Sequence, residues 1–352
     1  MQERIACAMV LIRQLSRTRC LPALLDVTAR EPGVLIMPNP VCVYIGDKLA
    51  RYGFGEGHPF GPDRLAAFWS LAQDRGLDTH VNQCAPVSAT RDVIERFHTP
   101  AYVARVIEQS ATGEGYLDCG DTPAFPGIYE SACFVVGSVL DALERILNNQ
   151  CRQAFVPIAG LHHARRDSAA GFCVFNDCGI AIATLRLQYR LQRIAYVDID
   201  AHHGDGVFYS FEDDADLIFA DLHEDGRFLY PGTGRGTETG LGDAVGTKLN
   251  IPMPPGADDE MFYTAWERLE AFVDQHCPEF ILFQCGADSI AGDPITHLCY
   301  TPAAHRYAAQ RLKLLAGKHC QGRLLVMGGG GYNRDNLARA WTAVVEALLE
   351  SA

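Results

Sequence analysis

Val197-Asp198-Ile199-Asp200-Ala201-His202-His203-Gly204-Asp205-Gly206 sets three carboxylates and two imidazoles within ten residues, directly after the apolar run that ends at Val197. A short apolar run of this kind reads as a buried strand. Strand side chains alternate faces, so Asp198, Asp200 and His202 would share one side if the strand continued, until Gly204 and Gly206 end it. Oxygen and nitrogen ligands then stand at a strand end, where α/β proteins collect their chemistry. Two carboxylates and an imidazole suit a hard-to-borderline cation, Zn²⁺ first among them. A solvated acidic turn fits less well, because it has no use for adjacent histidines beside these aspartates.

Outward from this segment the pattern repeats. Apolar runs bounded by turn residues lie at Ala154 to Ala159, Ile194 to Val197, Leu217 to Leu222, Phe280 to Gln284 and Leu324 to Met327. Helical periodicity marks Asp63 to Arg75, Thr90 to Phe97, Pro100 to Ser110, Gly127 to Asn148, Asn176 to Tyr189, Asp259 to His276, Pro302 to Gly317 and Asn336 to Leu349. Asp259 and Asp335 are candidate N-caps. Strands alternating with helices predict an α/β fold whose mostly parallel sheet is covered on both faces. The Gly-, Pro- and Thr-rich stretch from His223 to Asn250 reads as an active-site loop. Residues 1–40 read as an N-terminal extension of uncertain structure, and residues 41–352 as one catalytic domain.

Four of these strands run straight into polar or glycine-rich segments. They are Gly160-Leu161-His162-His163, the Asp/His stretch quoted above, Cys285-Gly286-Ala287-Asp288, and Gly328-Gly329-Gly330-Gly331-Tyr332. In a parallel sheet all four ends fall along one edge and can build one site. Asp200, His202 and Asp288 would supply three metal ligands and leave a position open, as a catalytic zinc requires. His162-His163 would offer a proton acceptor for water made acidic there. Asp198 and Asp205 could orient the two imidazoles through Nδ1. Tyr332, after four flexible glycines, could donate to a developing oxyanion. The glycine run is no P-loop, because no Lys-Ser/Thr follows, and Gly232-Thr233-Gly234-Arg235-Gly236 precedes no helix. His58, His98, His223, His297 and His305 read as structural, and His80, His276 and His319 as surface positions.

Composition narrows the class. The net charge of −13, with no Lys/Arg run, argues against nucleic acid and suits cationic substrates. No apolar run reaches the ~18 residues of a membrane span, and the N-terminus lacks a signal pattern, so a cytoplasmic protein is expected. The 13 cysteines are scattered without C-x-x-C spacing, which reads as small apolar residues in a reducing compartment.

With these residues assembled, the chain resembles the zinc-dependent histone deacetylase superfamily, and within it the class I-like and bacterial acetoin-utilization-type deacetylases. The carriers begin with Gly57-His58-Pro59…Arg64, Phe97-His98-Thr99, Asp121-Thr122-Pro123, Gly160 to Ala164, Gly171-Phe172-Cys173 and Asn176-Asp177. Asp198 to Val207, Tyr230 to Gly234, Gly286-Ala287-Asp288 and Gly329 to Tyr332 follow in order. The resemblance implies the single-domain arginase–deacetylase fold, with a parallel sheet of about eight strands. It implies Zn²⁺ on Asp200, His202 and Asp288, His163 with Asp205 as general base and then acid, and His162 with Asp198 as electrostatic partner. Tyr332 would polarise the acetyl carbonyl. Gly171, Phe172, Tyr230 and Gly330 would line the lysine tunnel, Asp121 and Ile295 would stand at its rim, and Arg64 near the acetate exit. A K⁺ or other monovalent ion is implied near Asp198, Asp200 and His202, although the position expected to help with a serine holds Asp221.

The implied substrate is an acetylated lysine peptide or protein. An acetylated polyamine is the alternative, against which apolar Ile295 weighs. A silent acetyl-lysine binder would have lost a relay residue, and an arginase-like binuclear manganese site would want more carboxylates. No nucleic-acid or membrane partner is expected, and a homo-oligomer is left open.

Overall fold

The computed structural model describes residues 41–350. Its centre is a wholly parallel sheet of β1 (Val41–Tyr44), β2 (Asn82–Cys84), β3 (Gln153–Val156), β4 (Ile194–Asp198), β5 (Leu217–Glu224), β6 (Lys248–Met253), β7 (Phe280–Gln284) and β8 (Leu324–Met327), in the order β2-β1-β3-β8-β7-β4-β5-β6. Residues of β1, β3, β4, β5, β7 and β8 are buried on both faces, which is why β3, β4, β5, β7 and β8 read as largely apolar runs. Helices pack around the sheet. This is the architecture expected of the arginase–deacetylase fold. No helix among the described residues is long and apolar enough to cross a membrane. The expected extension at residues 1–40 lies outside the described residues.

The register explains the placement of the site. Val156, Met327, Gln284, Asp198, Asp221 and Asn250 pair in one row across β3, β8, β7, β4, β5 and β6. The row is apolar over β3 and β8 and turns polar from Gln284 onward, at the C-terminal edge. Beneath it the rings of Phe68, Phe155 and Trp341 meet edge to face, and Trp341 Nε1–H donates to the Gly328 carbonyl at 3.0 Å. The core thus reaches the glycine segment directly.

Several boundaries differ from the sequence reading. The β3 strand stops at Val156 rather than Ala159, since Pro157 has no N–H for the ladder. β5 runs on to Glu224, and β6 starts at Lys248 inside the stretch read as loop. Both are held by neighbouring strands rather than by local pattern. The helix expected over Thr90 to Phe97 shrinks to Arg91–Ile94. Helix Asp259–His276 is capped by Asp258, whose carboxylate accepts from Met261 N–H at 3.2 Å. Asp259 instead reaches the N–H and hydroxyl of Thr301, which caps helix Pro302–His319. Asn333, not Asp335, caps helix Arg334–Leu349. Asp258→Ala is expected to lower stability by about 1 kcal/mol, seen as a lower urea midpoint. An unchanged midpoint would contradict the cap.

Candidate active site

The strand geometry does not carry on past Asp198. Asp198 Oδ1 accepts from Asp200 N–H and Asp200 Oδ1 from His202 N–H, each at 3.0 Å. Two such turns in succession bend the chain where alternation had been expected to continue. The bend still unites Asp200 and His202, and Asp288 joins them from the turn after β7, its Oδ1 accepting from Ala201 N–H at 2.9 Å. His202 Nδ1 lies 3.0 Å from Asp200 Oδ1 and 3.2 Å from Asp288 Oδ2. All three residues are buried, and their ligand atoms lie within 4.8 Å of one another. Burial, then the Asp200 carboxylate, pushes Asp288 up to about 7. Two carboxylates and an imidazole held together out of water make a donor set that fits a metal such as Zn²⁺. Gly330 completes the wall. Its N–H donates to Asp200 Oδ2 at 2.8 Å, and a Cβ there would fall 2.0 Å from Asp288 Oδ2.

The tandem histidines stand beside this group. Asp177 accepts from the N–H groups of Gly160 and Leu161 at 2.9 and 3.0 Å, and the Asn176 amide donates to the carbonyls of His162 and Ala164. So fixed, His162 Nδ1 donates to Asp198 Oδ2 at 2.8 Å and His163 Nδ1 to Asp205 Oδ1 at 2.7 Å. Their Nε2 atoms are 3.1 Å apart. Burial pulls His162 down, but Asp198 and Asp200 outweigh it and raise its pKa to about 10. Burial and then the His162 charge lower His163 to about 4, against the pull of Asp205. Near neutrality His162 therefore favours its charged form and His163 its neutral form, which keeps Nδ1–H on Asp205 and leaves Nε2 unprotonated. Two neighbouring groups driven apart in this way mark an acid–base pair.

The remaining expected residues surround the same space. Tyr332 is half-buried, its ring 5.7 Å from Phe172 and 6.4 Å from Phe60. Its hydroxyl makes no hydrogen bond among the described residues. The four glycines before it are not a flexible hinge: Trp341 holds the Gly328 carbonyl, and Arg64 donates to the Gly329 and Gly331 carbonyls at 2.6 and 3.0 Å. Arg64 is fully buried, and its Nη1 has no hydrogen-bond partner among the described residues. Gly171, at φ +53°, fits between His163 and Tyr230, where a Cβ would lie 2.5 Å from the imidazole. The Tyr230 ring is 5.2 Å from that of His163 and half open to solvent. At the rim stand exposed Asp121 and Ile295, and the Ile295 N–H donates to Asp293.

Asp221 is fully buried, with its carboxylate engaged by Gly204 N–H at 2.8 Å and His223 Nδ1 at 2.7 Å. The side-chain oxygens of Asp198 are likewise taken, by His162, the Tyr196 hydroxyl and Asp200 N–H. His319, read as a surface residue, turns its imidazole inward onto Asp274.

Sequence reasoning passed over two further residues. Gln284 donates to Asp200 Oδ2 at 2.8 Å and accepts from Gly286 N–H at 2.7 Å. A polar residue closing an otherwise apolar strand was the available signal. Asp293 accepts from Tyr332 N–H at 2.8 Å, and nothing local announces that contact, because the partners are 39 residues apart.

The family model described as "Histone deacetylase domain" matches residues 58–348. The acetoin utilization protein AcuC of Bacillus subtilis (strain 168) is 34% identical over 317 residues, covering 88% of this chain and 81% of that protein. Histone deacetylase clr6 of Schizosaccharomyces pombe is 32% identical over 311 residues, 86% and 75% of the two chains. Histone deacetylase 8 of Danio rerio is 31% identical over 335 residues, 92% and 84% of the two chains.

Proposed function

The chain belongs to the histone deacetylase family, a family of hydrolases, and on that premise we propose that it is a Zn²⁺-dependent lysine deacetylase whose catalytic domain is residues 41–352. The observation that carries the reading is the His162–His163 pair, each imidazole held by its own carboxylate and their Nε2 atoms 3.1 Å apart, beside the buried Asp200–His202–Asp288 group. When bound there, Zn²⁺ supplies Lewis acidity to the amide carbonyl and lowers the pKa of water.

The chain's own residues do the rest. His163 Nε2, neutral and oriented by Asp205, takes the proton of the attacking water and returns it to the leaving lysine amine. His162, held cationic by Asp198 and Asp200, stabilises the negative charge that builds on the reacting carbon's oxygens. The Tyr332 hydroxyl donates to the acetyl carbonyl oxygen. Phe172 and Tyr230 enclose the aliphatic stem across from each other, with Gly171 and Gly330 leaving room at the end. Asp121 receives the substrate backbone at the rim. The open Nη1 of Arg64 suits a small carboxylate, the acetate product. A monovalent ion near Asp198, Asp200 and His202 would draw on backbone carbonyls together with carboxylate lone pairs that the existing hydrogen bonds leave free.

The test is acetate release by the zinc-loaded protein from an acetyl-lysine peptide and from N-acetylputrescine, with a hydroxamate control. Hydroxamate-sensitive turnover of the peptide is expected. Turnover of the polyamine alone would keep the chemistry and replace the substrate. Tight peptide binding without acetate would leave only an acetyl-lysine binder.

A further inference from the structure

At the mouth of the site one carboxylate gathers an entire loop. Asp118 Oδ1 accepts from the N–H groups of Gly120, Asp121 and Thr122 at 3.0, 2.9 and 2.8 Å. Asp118 Oδ2 accepts from the Thr122 hydroxyl. The oxygen of the same hydroxyl accepts in turn from Phe172 N–H at 3.1 Å. Phe172 sits at φ +68°, a backbone region a bulky residue occupies only under restraint. Partial burial works against the Asp118 charge, but the Thr122 hydroxyl and the converging N–H groups outweigh it and hold the carboxyl below the usual range.

The loop is also gripped from its other side. His58 Nδ1 accepts from Phe60 N–H at 3.1 Å, so Nε2 bears the ring proton and donates to the Asp121 carbonyl at 3.1 Å. The same imidazole lies edge to face on Phe172, 4.6 Å between centroids. Backbone N–H and C=O of Asp121 are thus both tied down. Its carboxylate is exposed and has no hydrogen-bond partner among the described residues. A loop this well restrained around one uncommitted acid is built to present that acid.

We propose that Asp118 is a positioning residue for substrate-backbone recognition: it holds Asp121 ready for the peptide N–H groups and links that loop, through Thr122, to the tunnel wall at Phe172. The inference rests on the lysine deacetylase reading and deepens it. Without Asp118 the loop would have to be ordered anew at each binding event, which weakens binding and leaves the chemistry alone.

The test uses the full zinc-loaded chain with Asp118→Ala and Asp118→Asn. The substrates are an acetyl-lysine peptide and N-butylacetamide, which keeps the amide and aliphatic stem but has no backbone to recognise. For Asp118→Ala the peptide KM is expected to rise about tenfold, with kcat within about twofold, while N-butylacetamide, which meets only the tunnel wall, loses no more than about twofold in kcat/KM. Asp118→Asn, which retains an acceptor oxygen, should recover part of the loss. Adding Asp121→Ala should cost little more than Asp121→Ala alone. Equal loss on both substrates, an unchanged peptide KM, or fully additive losses would each overturn the inference. Binding of a fluorescent acetyl-lysine peptide separates the two readings. A roughly tenfold weaker Kd for Asp118→Ala supports the positioning role even if the wild type releases no acetate, a result that removes only the deacetylase reading. A wild type that neither binds the peptide nor releases acetate overturns both.

Discussion

Tyr332→Phe is expected to lower kcat/KM for an acetyl-lysine peptide by about 10²–10³, the usual loss when one oxyanion donor is removed. The substitution deletes only the hydroxyl. Ring contacts with Phe172 and Phe60 survive it, as does the bond from the Tyr332 N–H to Asp293. Burial, followed by the Asp288 and Asp200 carboxylates, pushes the phenol well above its ordinary range, so it stays protonated and keeps a hydrogen to donate. Bound zinc and thermal stability should match the wild type, and the loss should fall on kcat rather than KM. A variant that turns over the peptide like the wild type would remove Tyr332 from the mechanism.

His163→Ala is expected to cost about 10²–10⁴ in kcat/KM, the range for a general acid–base group. His162→Ala should cost less, because its role is electrostatic and part of its charge is compensated by Asp198. The pH dependence follows from the same asymmetry. A base must be neutral to act, and burial with the His162 charge holds His163 near 4. Its neutral form therefore persists as pH falls through 6.5, and with Zn²⁺ in excess the acid limb of kcat/KM should lie below the usual imidazole range. Rates for His163→Ala equal to or above those for His162→Ala would reverse the two roles.

Much of this molecule was legible before any fold was seen. The runs ending at Val197, Gln284 and Met327 announced strands because strands buried on both faces have little choice but to be apolar. The candidate metal donors Asp200, His202 and Asp288, which the fold brings together, could be picked out because turn residues and polar donors appear together where strands stop. What misled was equally local. Asp259 and Asp335 look like caps, but caps depend on where the preceding turn leaves the backbone, and Asp258 and Asn333 occupy those positions. The glycines before Tyr332 look like a hinge, yet Arg64 and Trp341, distant in sequence, hold them still.

By itself the sequence determined the period of the elements, the α/β class, and which side chains could bind a metal or move a proton, because those properties reside in single residues and their near neighbours. The resemblance implied different roles for the two adjacent histidines, and only the tertiary structure supplies the physical asymmetry between them. That depends on Asp198 and Asp200 lying close to His162 across 36 residues or more, with Asp205 left to His163. The row joining Gln284 to Asp198 and Asp221, the Asp293 hold on Tyr332, and the Asp118 loop facing Phe172 are likewise products of sheet order. Burial makes each of those contacts strong, and burial is set by the whole fold.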